Sequence, residues 1–264
     1  LVPIYTDVMA PGKYGEVTLI FSWFAIFNVF LAYGMETAFF RFYKESENRK
    51  KVVSTSLLSI MGSTALLVLI GILFKEKLSA ALNIDLPFMN YVLGILALDA
   101  LAIIPFAWLR ANEKPMRYAI VKILNVSLNL GLTLFFLILL PKIAQETSTG
   151  FLHSLYKVDY EIPYILIANL IASAITLLLM IRVYIRRPYE FDKKLWKRMV
   201  RYAMPVMVAG VAFTINEVFD RYLLSELLPE DIAKSEMGKY SACYKLALFM
   251  TLFATAFRNR TFFL

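Results

Sequence analysis

Long apolar stretches recur along this chain and limit what it can fold into. A helix needs about 20 apolar residues to cross about 30 Å of hydrocarbon. Seven stretches reach that length: Val17–Phe40, Val52–Phe74, Leu86–Leu109, Tyr118–Leu140, Ile162–Ile181, Ala203–Leu224 and Tyr240–Phe257. Leu1–Tyr5 has the composition of the end of one more. Because runs of this length satisfy their backbone polar groups in lipid as helices, the predicted fold class is all-α, a polytopic transmembrane helix bundle.

The composition excludes several other classes of protein. Hydrophobic residues make up 59% of the 264 residues and charged residues only 18%, whereas soluble domains are about 45–50% apolar and about 25% charged. The single cysteine, Cys243, and the single histidine, His153, exclude a disulfide framework and a histidine-based zinc cluster. Membrane topology explains the net charge of +8 better than nucleic-acid binding does. We therefore expect no metal, no cofactor and no nucleic-acid partner.

Basic residues concentrate in alternate connections between the predicted spans. The loops near residues 41–51, 110–117 and 182–201, together with the C-terminal tail, hold eighteen of the 28 basic residues, and the opposite connections hold eight. Lysine and arginine gather in the cytoplasmic loops of membrane proteins. The three basic loops are therefore predicted to be cytoplasmic.

The third of these loops also divides the chain. In residues 186–201, Leu195, Trp196, Met199 and Val200 fall on one helical face while basic residues cover the other, which is typical of an interfacial amphipathic helix. A solvated charged linker is the alternative. The predicted organisation is a first bundle at 1–185, a cytoplasmic linker helix at 186–201 and the start of a second bundle at 202–264. Because the chain opens and stops inside apolar runs, we expect it to be a fragment of a longer protein.

Several ionisable side chains lie within the predicted spans. Each costs about 2.5–3.5 kcal/mol at the bilayer centre, so it persists chiefly where it faces a cavity or a partner. Asp99 is the most central of them. The full set is Glu36, Asp99, Lys122, Glu217, Asp220, Arg221 and Lys245.

Lys122 begins a polar stripe on an otherwise apolar span. Asn125, Asn129 and Thr133 follow it at steps of three, four and four residues, which places all four on one side of a helix. Such a stripe indicates the wall of a hydrated cavity. Hydrogen bonding of the asparagines to a neighbouring helix is the alternative, although it does not explain the lysine.

A second cluster lies in the span Ala203–Leu224. Glu217, Asp220 and Arg221 are spaced so that two acids and one base meet on one helix face. The cluster could bind a coupling ion or a substrate group, or it could neutralise itself. Asp220 and Arg221 lie near the outer end, where they could also extend toward the interface.

Motifs for enzymatic chemistry are scarce. The chain has no phosphate-binding GxxxxGK[ST] loop, no GxSxG elbow, no HExxH and no CxxC. His153, in the longest outer loop, could act as a general base, but a lone loop histidine is more often solvated. We therefore predict that the chain is not an enzyme.

Several phrases of the sequence resemble polysaccharide-biosynthesis flippases. They are Pro3–Asp7, Tyr14–Glu16, Gly34–Tyr43, Leu109–Pro115, Lys122–Asn129, Arg201–Pro205, Ile215–Arg221 and Tyr240–Lys245. The family is the oligosaccharide-lipid flippase branch of the multidrug/oligosaccharidyl-lipid/polysaccharide exporter superfamily, which includes O-antigen flippases. The resemblance implies twelve to fourteen helices in two bundles around a central cavity, of which this chain would supply about seven and part of another.

The resemblance also implies a function and a set of sites. It implies that the protein transfers an undecaprenyl-diphosphate-linked oligosaccharide across the bacterial inner membrane by alternating access. The implied partners are membrane lipid and the glycosyltransferases and polymerase of the same pathway. Anionic cargo in hydrocarbon needs positive charge and hydrogen-bond donors. The candidate substrate contacts are therefore Arg41, Lys122, Asn125, Asn129 and Lys245. The candidate ion-coupling residues are Glu36, Asp99, Glu217 and Asp220.

Two other functions compete with this one. A drug or cation antiporter of the same superfamily would share the fold, but its pocket should be dominated by carboxylates and aromatic rings rather than contain Lys122 and Lys245. A membrane glycosyltransferase or sugar polymerase would need a catalytic loop at the membrane surface, and the outer loops offer no persuasive arrangement of acids around His153.

Overall fold

The structure is a computed structural model that describes residues 2–146, 156–157, 159–185 and 189–261. His153 lies outside the described residues. The described part of the chain is helical and contains no strand. Its helices are α1 Val2–Val8, α2 Pro11–Ala32, α3 Met35–Glu45, α4 Arg49–Leu73, α5 Lys75–Leu82, α6 Met89–Ala111, α7 Pro115–Leu134, α8 Leu140–Glu146, α9 Glu161–Ile185, α10 Lys193–Leu227 and α11 Glu230–Thr261. A short 3₁₀ turn, Leu86–Phe88, precedes α6, and a π-helical turn, Phe135–Leu139, joins α7 to α8.

Within the described residues, six helical stretches are long and apolar enough to cross a membrane. They are Pro11–Glu45, Arg49–Leu73, Leu86–Ala111, Pro115–Ala144, Glu161–Ile185 and Lys193–Leu227. Five of them contain the corresponding predicted span whole, and Arg49–Leu73 ends one residue before the end of the predicted span Val52–Phe74. The seventh predicted span, Tyr240–Phe257, lies inside α11, which is not among the six. The prediction of an all-α, multi-pass membrane bundle is confirmed.

The first membrane span is interrupted where the sequence predicted an unbroken helix. Tyr33 and Gly34 have positive φ angles of 32° and 70° and separate α2 from α3. Glycine adopts this left-handed backbone without the steric cost that a Cβ atom adds. Tyr33 is held there by a 2.7 Å hydrogen bond between its hydroxyl and that of Ser59 on α4. The chain therefore turns at the point where α3 begins.

The chain comprises two compact units, and the larger is Trp23–Glu217. In this unit α9 packs against α6 and α7, α6 packs against α4, and α3 packs against both α4 and α6. The buried core at one end includes Met35, Phe39, Leu57, Ile104 and Met199. These residues come from four different helices, so the core fixes the positions of α3, α4, α6 and α10 relative to one another.

The start of α10 is attached to α4 by side-chain hydroxyls. The amide of Glu190 donates to Ser54 Oγ at 2.6 Å, and the indole of Trp196 donates to Ser59 Oγ at 2.6 Å. Asp192 caps the helix by accepting hydrogen bonds of 3.0 Å from the amides of Lys194 and Leu195. From Lys193 the helix continues without a break through Arg201 to Leu227. The division into bundles at residues 186–201 stays a prediction.

The smaller unit comprises Leu1–Ser22 and Val218–Leu264. Here α2 and α11 approach closely at two glycines, because a Cβ atom on Gly15 would overlap the backbone of Lys234 and one on Gly238 would overlap Pro11. The Lys234 ammonium lies 3.3 Å from the carboxylate of Glu16. This unit contains α1, the first part of α2, the end of α10 and all of α11.

Candidate functional site

A polar cavity of about 660 Å³ lies within the larger unit. Residues of α2, α3, α6, α7, α9 and α10, together with Gly34, line it. Its charged and polar lining residues are Asn28, Glu36, Thr37, Asp99, Arg110, Tyr118, Lys122, Asn125, Asn169, Ser173 and Thr176. All of them belong to stretches long and apolar enough to cross a membrane, so this cavity places polar groups among the candidate membrane spans.

Helix α6 supplies one wall of the cavity. Asp99, Ile103, Phe106 and Arg110 recur at steps of four, three and four residues and all line it, because residues at this spacing share one helix face. Asp99 and Arg110 are separated by eleven residues, or about 16 Å along the helix at 1.5 Å per residue. The cavity therefore extends from the basic end of α6 about half way along the span.

Arg110 and Glu36 form an ion pair across the cavity between α6 and α3. The guanidinium also lies 4.9 Å from the ring centroid of Phe40 and 5.4 Å from that of Tyr118. The two charged side chains remain 42% and 39% exposed. Such an exposed pair is worth little as a fixed structural contact, so either charge is available to a ligand that enters the cavity.

Lys122 projects from α7 toward α6. Its ammonium lies 4.5 Å from the ring centroid of Phe106, which is within the range of a cation–π contact. One turn along α7, Asn125 donates a 2.9 Å hydrogen bond to Thr176 Oγ1 on α9. Asn125 therefore lines the cavity and also bonds to a neighbouring helix. The two roles weighed from the sequence, a place in a cavity wall and a hydrogen bond between helices, are compatible at this residue.

Asp99 is the most deeply placed carboxylate of the cavity. The hydroxyl of Ser173 on α9 donates a 2.7 Å hydrogen bond to Asp99 Oδ1. The described lining of the cavity holds two carboxylates, Asp99 and Glu36, and two cations, Lys122 and Arg110. The formal charge of the cavity is balanced when all four groups are ionised.

Four of the nine predicted site residues line this cavity: Glu36, Asp99, Lys122 and Asn125. Two others lie in the same unit but do not line it. Arg41 pairs with Glu45 at 3.2 Å and stacks on Tyr202 at 4.5 Å. Asn129, further along the α7 stripe, accepts a long 3.5 Å hydrogen bond from Thr133.

The remaining three predicted residues lie on α10 and α11. Glu217 is the last residue of the larger unit, whereas Asp220 and Lys245 belong to the smaller one. Asp220 pairs with Arg221 at 3.4 Å and accepts a hydrogen bond from the Tyr240 hydroxyl. Lys245 Nζ donates a 3.1 Å hydrogen bond to the hydroxyl of Tyr14. Within their unit, Asp220 and Lys245 therefore take part in polar contacts of their own.

The sequence analysis missed several residues that line the cavity. Arg110 was counted with a loop, although α6 continues to Ala111. Asn169, Ser173 and Thr176 recur at steps of four and three residues on α9. That spacing is the same signal that identified the stripe on α7, and it could have identified the opposite wall.

The fold and the cavity define a class: a multi-pass helical membrane protein with a polar cavity among its spanning helices. The chain belongs to the polysaccharide biosynthesis protein family, whose model matches residues 1–263. This match confirms the predicted resemblance. A search of curated proteins and a search of solved structures gave no significant match. Membership of this family indicates a role in polysaccharide biosynthesis or export.

Proposed function

We propose that the protein is a flippase that moves an undecaprenyl-diphosphate-linked oligosaccharide across the bacterial inner membrane for surface polysaccharide, of which O-antigen is one kind. The protein acts as a transporter rather than an enzyme. Glycosyltransferases deliver its lipid-linked cargo and a polymerase receives it. The family match supports the pathway, and the cavity supports the class of cargo.

The observation that carries this proposal is the position of Lys122. It lies in the membrane-spanning stretch Pro115–Ala144 and lines a polar cavity beside Asn125. An ionised lysine within a span is costly unless it serves a ligand, a partner or a water-filled wall. A diphosphate in hydrocarbon needs charge-assisted hydrogen bonds of the kind that ammonium and guanidinium groups donate. Lys122 supplies one such donor, and the carboxamide of Asn125 can donate to the phosphate or the sugar.

Arg110 supplies the second cation and explains how cargo is first captured. Its guanidinium already binds a carboxylate, that of Glu36. Because a diphosphate offers the same oxygen geometry with more charge, it competes with Glu36 for the guanidinium. Arg110 lies in the last turn of α6, at the end that the distribution of loop charges predicts to be cytoplasmic. Cargo therefore meets Arg110 first and Lys122 deeper in the membrane.

The two carboxylates connect cargo binding to protons. With Glu36 and Asp99 ionised the cavity is balanced, and each protonation adds one net positive charge to its lining. Anionic cargo and protons therefore favour each other's binding, which is a reciprocal coupling. In this mechanism the two bundles rock about the cavity to expose it to each side in turn. Arg41, Asn129, Lys245, Glu217 and Asp220 stay predictions for the intact protein.

A cation antiporter is the second candidate function, and one observation favours it. Glu36 and Asp99 share the cavity with the aromatic rings of Phe106 and Tyr118, and organic cations bind to carboxylates and aromatic faces. Saturable binding of a fluorescent quaternary ammonium compound, abolished by Asp99→Asn, would favour this function. Failure of that compound to bind would leave the anionic cargo as the better explanation.

Complementation tests the proposed function. The full-length gene is placed in a bacterium whose own O-antigen flippase is deleted, and surface polysaccharide is read on a gel. We expect export with the parent sequence and loss of export with Lys122→Ala, at equal abundance in the membrane. Lys142→Ala is the matched control, because Lys142 is exposed on α8 and does not line the cavity. Equal export by the two variants would refute the role of Lys122.

A further inference from the structure

Four helix ends meet on the basic side of the larger unit. They are the start of α4, the end of α6, the start of α7 and the end of α9. Together they form a second cavity of about 790 Å³, which we call the basic groove. Its lining is Lys50, Trp108, Leu109, Lys114, Arg117, Ile120, Val121, Leu179, Met180, Arg182 and Val183. The basic groove and the polar cavity share no lining residue, so they are separate sites.

The lining of the basic groove is divided by chemistry. Four cations come from the helix ends: Lys50, Lys114, Arg117 and Arg182. The described lining contains no carboxylate to neutralise them. Lys114 is also the N-cap residue of α7 and offers no side-chain acceptor to the first amides of that helix. The positive end of the helix dipole therefore adds to the four formal charges.

The remaining lining is apolar and continues toward the lipid. Leu109, Val121, Met180 and Val183 are apolar, and Ile120 and Leu179 are 50% and 48% exposed. On the polar side, Trp108 lies beside the cations, with its ring 5.1 Å from Lys114 Nζ. A tryptophan at this depth is typical of the interface between headgroups and hydrocarbon. A charged rim above an apolar wall fits a molecule with an anionic head and hydrocarbon chains.

We propose that the basic groove binds an anionic phospholipid of the surrounding leaflet, with its phosphate at Lys114, Arg117 and Arg182 and its acyl chains along Ile120 and Leu179. Charge complementarity selects this occupant, because four cations without a carboxylate attract an anionic headgroup and disfavour a cationic one. The exposed apolar wall selects a lipid over a soluble phosphate, which has no hydrocarbon to place there. By the distribution of loop charges, the leaflet is the cytoplasmic one.

Trp108 provides a local probe of the occupant. The chain has three tryptophans, so Trp23→Phe with Trp196→Phe leaves Trp108 as the only one. The single-tryptophan protein is reconstituted into vesicles of phosphatidylcholine that contain a fixed fraction of brominated phosphatidylglycerol or, in parallel, brominated phosphatidylcholine. Bromine quenches tryptophan fluorescence at short range. We expect brominated phosphatidylglycerol to quench Trp108 more strongly at the same mole fraction.

Two pairs of substitutions separate the groove from general attraction to the membrane surface. Arg117→Gln with Arg182→Gln removes two charges of the groove, and we expect the preference for phosphatidylglycerol to fall about fivefold for each charge removed. Lys44→Gln with Lys197→Gln removes two exposed charges at the ends of α3 and α10, outside the groove. This control pair should leave the preference unchanged.

Three results would overturn the proposal. Equal quenching by the two brominated lipids would exclude headgroup selection, and equal losses in the two charge pairs would assign the effect to the surface as a whole. Relief of quenching by excess inorganic phosphate at constant ionic strength would assign the groove to a soluble anion.

Trp23 and Trp196 each donate an indole hydrogen bond, so their loss could weaken the fold. Native mass spectrometry of the parent chain, released from nanodiscs of mixed phosphatidylglycerol and phosphatidylcholine, then measures which lipid is retained.

Discussion

Gly34 sets the distance between the break in the first span and α10, and Gly34→Ala tests this packing. At φ 70°, a Cβ atom on residue 34 would overlap the carbonyl oxygen of Ala203 and would lie 3.2 Å from the amide nitrogen of Met207. Both are backbone atoms, so neither can rotate away as a side chain can. To accept the added methyl group, α10 must move or the break must change its conformation.

The expected loss of stability follows from two contributions. A residue with a Cβ atom in the left-handed conformation costs about 1–2 kcal/mol, and overpacking of a tight contact costs about 1–3 kcal/mol more. Their sum is about 2–5 kcal/mol, which corresponds to a Tm decrease on the order of 5–15 °C for a chain of this size. Gly34 and Met207 both line the polar cavity, so export should fall as well.

Thermal unfolding of the purified protein in detergent measures the effect, and Gly62→Ala is the matched control. Gly62 lies within α4, and a Cβ atom there meets no atom within 4 Å. The same substitution at that position should leave Tm unchanged or raise it slightly, because alanine favours a helix by about 0.5–1 kcal/mol over glycine. If the two variants unfold at the same temperature, the close contact between residue 34 and α10 is wrong.

Two further predictions concern pH. Asp99→Asn mimics the protonated carboxyl, so export by this variant should depend less on pH than export by the parent. The control Asp85→Asn, at an exposed position, should leave the pH profile of export unchanged. An unaltered pH profile for Asp99→Asn would exclude Asp99 as the proton site. Hydrogen bonds from the amides of Leu195 and Lys194 hold the pKa of Asp192 below its ordinary value. The stability that this cap contributes is therefore fully present above the ordinary aspartate pKa, about 4, and is lost as the pH falls through the lower pKa of the folded state. Asp192→Ala should accordingly lower Tm at neutral pH and match the parent in strong acid, and a Tm difference that is constant with pH would contradict this cap.

The sequence predicted the membrane fold well because run length is a physical requirement of the bilayer. Ile162–Ile181, for example, lies within α9, whose ends extend it by one residue and by four. The break at Tyr33 and Gly34 was missed because both residues lie inside a continuous apolar run. At the break, Gly34 lies against the backbone of the distant α10 and Tyr33 bonds to Ser59 on α4, and hydropathy along the chain carries no information about such contacts.

The candidate site shows the same limit. Lys122 and Asn125 of the stripe on α7 both line the cavity, whereas Asn129 continues the stripe but does not line it. A long helix meets different neighbours along its length, and at Asn129 the nearby hydroxyl of Thr133 donates to its amide oxygen. Arg110 was missed for a different reason. Counting loop charges treats a basic residue at a helix end as a marker of topology, whereas the structure turns this side chain toward Glu36.

The charges that line the cavity favour an anionic cargo over a cationic one, because they can change in only one direction. Arg110 keeps its charge at any physiological pH, and the side chain of Lys122 is exposed. Glu36 and Asp99 can lose theirs by accepting protons. The lining can therefore pass from balanced to net positive, but a net negative lining would require a cation to lose its proton. In the proposed mechanism the protonated cavity therefore binds a diphosphate more tightly than the ionised one, and no state of the lining presents net negative charge to an organic cation.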